Sequence, residues 1–392
     1  MSHPGTSPPL AAALVIAIGL SVACGGSAPD APTDVTYPHD IPIDSALGFG
    51  FELDDPRFAD VIDVTAGVVV LAGGFTWAEG PVWVPAAGEL LFSDVPANVV
   101  YRYDPASVEA RAPEGVWGVD TFLYPSGYLA EPDVDGEPGA NGLLLDGDGR
   151  LLLLQHGERR VVRLRQNLRD ALARRRPIRP RERDFEVLAD RYDGRRLNSP
   201  NDVARASDGT LYFTDPPYGV DKTFGEGARE LDFSGVYRLA PGADSAQLLY
   251  RGLERPNGIA LTPDESALIV SNSQADDLKW VRLSLTPLTE APTADTLAAD
   301  TALLDGEVFA DLTARVGPER PGSADGMYVL PDGTLLATGP GGVIVFAADG
   351  TVLGTIRTGR ATANVTVGGR DGRDVFIAAD DLLLEARLAE AP

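Results

Sequence analysis

Six polar residues, Glu79, Asn141, Asn201, Asn257, Asp325 and Asn364, each open a short run of apolar or small residues. Together they carry two carboxylates and four amides, with no histidine and no cysteine. Gathered at one place they would offer oxygen ligands only. Such a set suits a hard divalent cation, since calcium accepts roughly six to eight oxygens from carboxylates, amide carbonyls and water. Zinc and copper sites draw on histidine and cysteine. Two carboxylates facing each other out of water need a counter-charge, which a divalent cation supplies. The plainer explanation is that Asn-Gly and Asp-Gly are turn residues bonding their own backbone.

The spacing speaks against that explanation. Asp148, Asp208, Asp264, Asp332 and Asp371 each stand seven positions after an opening residue, and all but Asp264 are followed by glycine. The turn is therefore already provided, and a second apolar run follows each one, at 151–154, 211–213, 268–270, 335–336 and 375–377. Asp-Gly between two such runs is a hairpin signal. The unit that begins at Glu79 has Ala86, Ala87 and Gly88 at the turn, one residue longer. Six strand-turn-strand units make a repeat fold.

The steps between opening residues are 62, 60, 56, 68 and 39. The shortest is close to the roughly 40–45 residues of a minimal four-stranded propeller blade. Further strands are expected at 100–103, 161–164, 236–239, 280–283 and 343–346. The expected fold is therefore all-β, a six-bladed β-propeller with four-stranded blades around a central metal-binding channel. Innermost strands start near that channel, so the six opening residues should converge there. A strand at 68–71 is expected to pair beside 382–388 and close the ring, removing a sheet edge. Longer steps imply loops at 117–140, 166–184 and 283–301. The second of these contains Arg169, Arg174, Arg175, Arg176, Arg179, Arg181 and Arg183, read as a solvated helix-loop insertion rather than a polyanion site.

The chain has 392 residues, 44% hydrophobic, and a formal net charge of −25. An acidic chain of this kind is not a general nucleic-acid binder. The single cysteine, Cys24, excludes an intrachain disulfide framework. It ends an apolar run at 10–22 that is too short to span a membrane and suits a signal-peptide core. Small residues before Cys24 resemble a bacterial lipoprotein signal, although residues 1–9 contain no Lys or Arg. An ordinary secretory signal with an incidental cysteine is the other reading. The expected organisation is a leader at 1–24, a Pro/Asp-rich tether and wrap at 25–60 and one catalytic propeller at 61–392. The protein is expected to be exported to the periplasm or cell envelope. Membrane contact would come only through lipid on Cys24, and a monomer is expected.

Other chemistries have little support. Of three histidines only His156 lies outside the leader and tether, at the end of a strand. There it either lines the pocket or is a hydrogen-bonded structural side chain. No Gly-x-Ser-x-Gly elbow, phosphate-binding loop or dinucleotide fingerprint occurs.

Several longer stretches carry a resemblance. They are Ala78-Glu79-Gly80-Pro81-Val82-Trp83, Gln155-His156-Gly157-Glu158, Leu197-Asn198-Ser199-Pro200-Asn201-Asp202, Phe213-Thr214-Asp215-Pro216-Pro217-Tyr218-Gly219, Arg255-Pro256-Asn257-Gly258 and Asp325-Gly326-Met327. From about residue 75 to 388 the chain resembles the senescence marker protein/gluconolactonase family of metal-dependent six-bladed propellers. The resemblance implies a calcium-type site formed by Glu79, Asn201, Asn257 and Asp325, with magnesium, manganese or zinc as alternative ions. It implies Asp325 as general base and a substrate contact from Asn201, and Asn141, His156 and Asn198 are further expected substrate contacts. Animal members carry an arginine two residues before the Asn201 equivalent. Ser199 stands there, so their contacts at that position do not carry over. The implied activity is hydrolysis of a small sugar lactone. A phosphoester-hydrolysing propeller with the same site, and a non-catalytic binding propeller with a structural cation, are the alternatives.

Overall fold

The computed structural model describes residues 48–107, 115–286 and 304–390. Cys24, the leader and the first part of the tether lie outside the described residues, as does most of the 283–301 loop. Among the described residues no helix is long and apolar enough to cross a membrane.

Six antiparallel sheets form the body. The first blade runs Ala78–Val84, Glu89–Asp94, Val99–Tyr103 and Asp120–Leu123 from inside to outside, and the second runs Ala140–Leu145, Leu151–Gln155, Arg160–Leu164 and Phe185–Ala189. The third and fourth begin with Val203–Arg205 and Pro256–Leu261, and the fifth with Met327–Val329. Asn364–Gly368, Asp374–Ala379 and Leu382–Arg387 make three strands of the sixth, whose outer strand, Val69–Gly73, comes from the other end of the chain. Val69 lies opposite Glu385 and Gly73 opposite Leu382, so the expected closure is present. The innermost strands touch their neighbours in cyclic order, the sixth returning to the first. This is the expected six-bladed propeller of four-stranded blades.

Within the stretch read as tether and wrap, the described residues pack on the propeller. Phe49–Leu53 adds a fifth strand to the fifth blade, with Phe49 opposite Thr358 and Leu53 opposite Gly354. Glu52 holds it there, its carboxylate pulled below its ordinary range by bonds from Arg320 and Arg357, which outweigh the cost of its partial burial. Phe58 packs with Phe49 on Val345 and Ile356. The strand covers an edge that would otherwise expose unpaired backbone groups.

Each blade interface is filled by its own apolar cluster. Leu91 and Val100 meet Leu143 and Leu153 between the first two blades. Leu90 and Phe92 point the other way, onto Phe376 and Leu383 of the last. Successive strand residues face opposite sides, so a strand sandwiched between two blades is apolar throughout. That is why 90–92 and 151–154 read as continuous rather than alternating runs.

The hairpin turns are built as the spacing predicts. Asp208 accepts the backbone N–H of Thr210 at 2.8 Å and Asp332 that of Thr334 at 2.9 Å. Gly209 follows Asp208 at φ 90°, in the left-handed region. In the fourth blade Glu265 takes that strained position, at φ 56°. The second blade assigns the bonding to Asp146, which accepts Asp148 N–H at 2.9 Å and Arg150 N–H at 2.8 Å. The Arg-rich insertion does contain a helix, Leu168–Ala173, capped by Asn167. Leu168, Ala171 and Leu172 of that helix join the first interblade cluster.

Candidate functional site

The innermost strands approach one another so closely that glycine follows most opening residues. A Cβ at Gly80 would collide with the Asn141 carbonyl oxygen, and one at Gly258 with that of Asp325. Gly142 N–H donates to the Asn201 carbonyl at 2.7 Å. Hydroxyls near the ends of second strands tie the blades together at the same level. Ser93 donates to the Asn141 carbonyl at 2.9 Å, Thr214 to that of Asn257 at 2.6 Å and Ser271 to that of Asp325 at 2.9 Å. The residue after each hydroxyl holds the incoming loop. Asp94 accepts Trp77 N–H at 3.2 Å, Asp215 accepts Asn198 N–H at 2.8 Å and Asn272 accepts Arg255 N–H at 3.1 Å. Asn141, Asn201, Asn257 and Asp325 are thus each gripped through the backbone carbonyl.

Five of the six opening side chains are buried. Glu79 is 2% exposed, Asn201 2%, Asn141 and Asn257 4% each, and Asn364 7%. The Glu79 carboxylate accepts Gly80 N–H at 3.2 Å and, more distantly, the Trp77 indole and the Asn364 amide at 3.4 Å each. Burial, then repulsion from Asp202, raises its pKa to about 7 despite those bonds. Asp325 is pushed well above the ordinary range by burial and by the charges of Glu79 and Asp202, partly offset by a bond from the Asn257 side chain. Glu79 is buried and Asp202 and Asp325 are half-buried, near enough for their charges to repel one another.

Asp202 was not among the expected site residues. It stands where four of the other five repeats have glycine, directly after an opening residue, and that departure was the available signal. Its carboxylate spans the blade boundary, accepting Val203 N–H at 2.9 Å and Ile259 N–H at 3.1 Å. Burial lifts its pKa to about 6 against the pull of these two bonds.

The residues present fit a hard cation. The Asn141 and Asn257 side-chain oxygens are buried and accept no hydrogen bond, an expensive state unless something positive faces them. Among the described residues no three His, Cys, Asp or Glu side chains cluster as a metal cage, so a cation here would depend on amide oxygens as well.

His156 and Asn198, the other expected substrate contacts, are both buried. His156 is fully covered, beneath the Tyr218–Phe224 helix where a Cβ at Gly219 would strike its ring. Burial, with the nearby Lys222 charge, lowers its pKa to about 3 and keeps it neutral, against a pull from the Glu137 backbone. A substrate would reach it only after that helix moved. The Asn198 amide donates to the carbonyls of Asp215 at 3.2 Å and Phe233 at 2.9 Å, bracing the loop before Asn201.

A family model, the SMP-30/Gluconolactonase/LRE-like region, matches residues 77–380. The chain belongs to the SMP-30/gluconolactonase/LRE-like family. A gluconolactonase of Zymomonas mobilis is 37% identical over 339 residues, spanning 85% of this chain and 84% of its own. A structure of a gluconolactonase from Xanthomonas campestris, described as important in glucose secondary metabolic pathways, is 28% identical. It superposes with a TM-score of 0.65 over 87% of this chain and 95% of its own. A calcium-binding regucalcin of Agrobacterium tumefaciens shares the fold, at 16% identity and a TM-score of 0.54 over 82% of this chain and 95% of its own. In this family member the ring of opening residues, with Asp202, is the candidate active site.

Proposed function

We propose that the protein hydrolyses a sugar lactone, as its gluconolactonase homologues are named for doing, at the channel ring. The observation that carries the reading is the convergence of Glu79, Asp202 and Asp325 with the unpartnered amide oxygens of Asn141 and Asn257. Glu79, Asn201, Asn257 and Asp325 would hold a divalent cation, for which oxygen-only donors favour calcium. When bound, such a cation supplies positive charge that polarises the lactone carbonyl and offsets the repulsion among the carboxylates.

The remaining work falls to the chain. Asp325, held through its backbone by Ser271 and Thr338, takes a proton from the attacking water at its carboxylate oxygen. The N–H and indole contacts of Glu79 fix that carboxylate in one orientation, and Asp202 locks the third blade to the fourth. The deep burial of Glu79, Asn201 and Asn257 lowers the local dielectric, which strengthens each of these interactions.

The test is acid release from glucono-1,5-lactone, corrected for spontaneous hydrolysis, before chelation, after chelation and after calcium is restored. Loss and recovery of activity, with Asp325→Asn inactive throughout, is the expected result. Undiminished hydrolysis by the folded Asp325→Asn protein would refute the assignment of the base.

A further inference from the structure

One cation beside the ring is left unneutralised. Arg255 lies two positions before Asn257, and its backbone N–H is held by Asn272 at 3.1 Å. Its side chain is exposed, and among the described residues it pairs with no carboxylate. The guanidinium carbon lies 5.6 Å from the centre of the Tyr218 ring. The Tyr218 hydroxyl is hydrogen-bonded to Ser273, whose carbonyl accepts the Ser323 hydroxyl at 2.8 Å, two residues before Asp325. A continuous chain of contacts thus joins Arg255 to the loop that carries Asp325. The second cation of this cluster, Lys222, has its Nζ 6.0 Å from the same ring, but it is already ion-paired with Glu137.

This pattern has a chemical consequence. A chain of net charge −25 with three carboxylates in its channel repels an anionic ligand that enters acid end first. A single free guanidinium at the rim, stacked on an aromatic face and still open to solvent, reverses that preference locally. It would hold an acidic group outward while the neutral ester end points toward Asp325. Guanidinium groups bind carboxylate and phosphate through paired N–H donors.

We propose that Arg255, backed by Tyr218, is a specificity-determining residue for lactones that carry an acidic group, carboxylate or phosphate, remote from the ester. The inference rests on the lactone reading above and names its substrate class. The contact is the same in ground and transition states, so it acts mainly through KM. Because the guanidinium is exposed and its field is screened by salt, the expected preference is about tenfold, narrowing as ionic strength rises.

The experiment compares three lactones on one preparation: glucono-1,5-lactone, glucaro-1,4-lactone with its free carboxylate, and 6-phosphoglucono-1,5-lactone. The ratio of kcat/KM for each acidic lactone to that for the neutral one is read for the wild type, Arg255→Gln and Arg255→Lys. Each ratio is internal to one sample, so a partly unfolded variant does not distort it. The expected result is a ratio about tenfold lower in Arg255→Gln, with recovery in Arg255→Lys. The carboxylate and phosphate arms tell which acid is preferred. Equal ratios in wild type and Arg255→Gln overturn the inference while leaving lactone hydrolysis intact. If none of the lactones is hydrolysed, the functional reading fails and calorimetric binding decides this one. Glucarate binding more tightly than gluconate, with the difference lost in Arg255→Gln, supports it. Equal binding overturns it.

Discussion

Gly258→Ala puts the interblade geometry to a quantitative test. The added Cβ would collide with the Asp325 carbonyl oxygen and lie 2.8 Å from both the Asp325 carbonyl carbon and the Gly326 Cα. Carbon atoms at optimal separation stand about 3.5–4.0 Å apart, so relief requires a displacement of roughly 1 Å. The atoms in the way are backbone, and no flexible side chain can yield. Overpacking of this kind costs about 1–3 kcal/mol. Working against it, replacing glycine by alanine restricts the unfolded chain and stabilises by about 0.4–1 kcal/mol where the backbone tolerates alanine, and Gly258 is not in the left-handed region. A net loss of about 1–2 kcal/mol follows. Activity should suffer more, because the residue displaced is Asp325 and a shift of about 1 Å can cost roughly 100-fold. Urea unfolding and lactone hydrolysis would be measured beside Gly227→Ala, where an added Cβ has no heavy atom within 4 Å and stability should stay within about 0.5 kcal/mol. A Gly258→Ala protein with full activity and wild-type stability would refute the close approach of the fourth and fifth blades at this level.

Two further outcomes concern stability. Thr214→Val removes the 2.6 Å bond to the Asn257 carbonyl at nearly constant shape. It should cost about 1–3 kcal/mol by leaving that acceptor, and the Asp202 N–H that the same hydroxyl accepts at 3.2 Å, unpaired, and a loss below about 0.5 kcal/mol in urea unfolding would count against the interblade bond. Glu385, on the strand that pairs with Val69–Gly73, has its pKa raised to about 7 by burial and then by Asp374, against a pull from Arg387. A carboxyl whose folded pKa is raised costs nothing below its unfolded value, near 4.5, and its full penalty above the folded one. Stability is therefore lost as pH rises through this window. Glu385→Gln should gain about 1–3 kcal/mol over wild type at pH 8 and about nothing at pH 4, and a variant less stable than wild type at pH 8 contradicts the sign.

The repeat made most of the architecture legible. Seven residues from an opening polar side chain to a turn aspartate fix where each inner hairpin lies, because strand alternation and the Asp-Gly turn are local physics. The closing strand was equally readable, since a ring of sheets needs its two ends paired. Glu79, Asn141, Asn201, Asn257 and Asn364 could be named as ring residues for the same reason, as could Asp325. The recurring pairs Ser93-Asp94, Thr214-Asp215 and Ser271-Asn272 were also visible, but their bonds run to other blades or to incoming loops, and no periodicity within a blade reveals them.

Tertiary structure decided the rest. Phe49–Leu53 lies in an irregular, Pro/Asp-rich context, and its place as a fifth strand depends on Arg320 and Arg357, which are hundreds of residues away along the chain. Asp202 resembles a stray neighbour of Asn201 until the next blade brings the Ile259 N–H to its carboxylate. Arg255 and Tyr218 stand 37 positions apart (255 minus 218) and meet only because adjacent blades present their loops at the same end. Local sequence determines a blade, since its hydrogen bonds close within a few tens of residues. The relation between blades is set by packing and by side-chain-to-backbone bonds across the boundary, and the electrostatics of the site arise there.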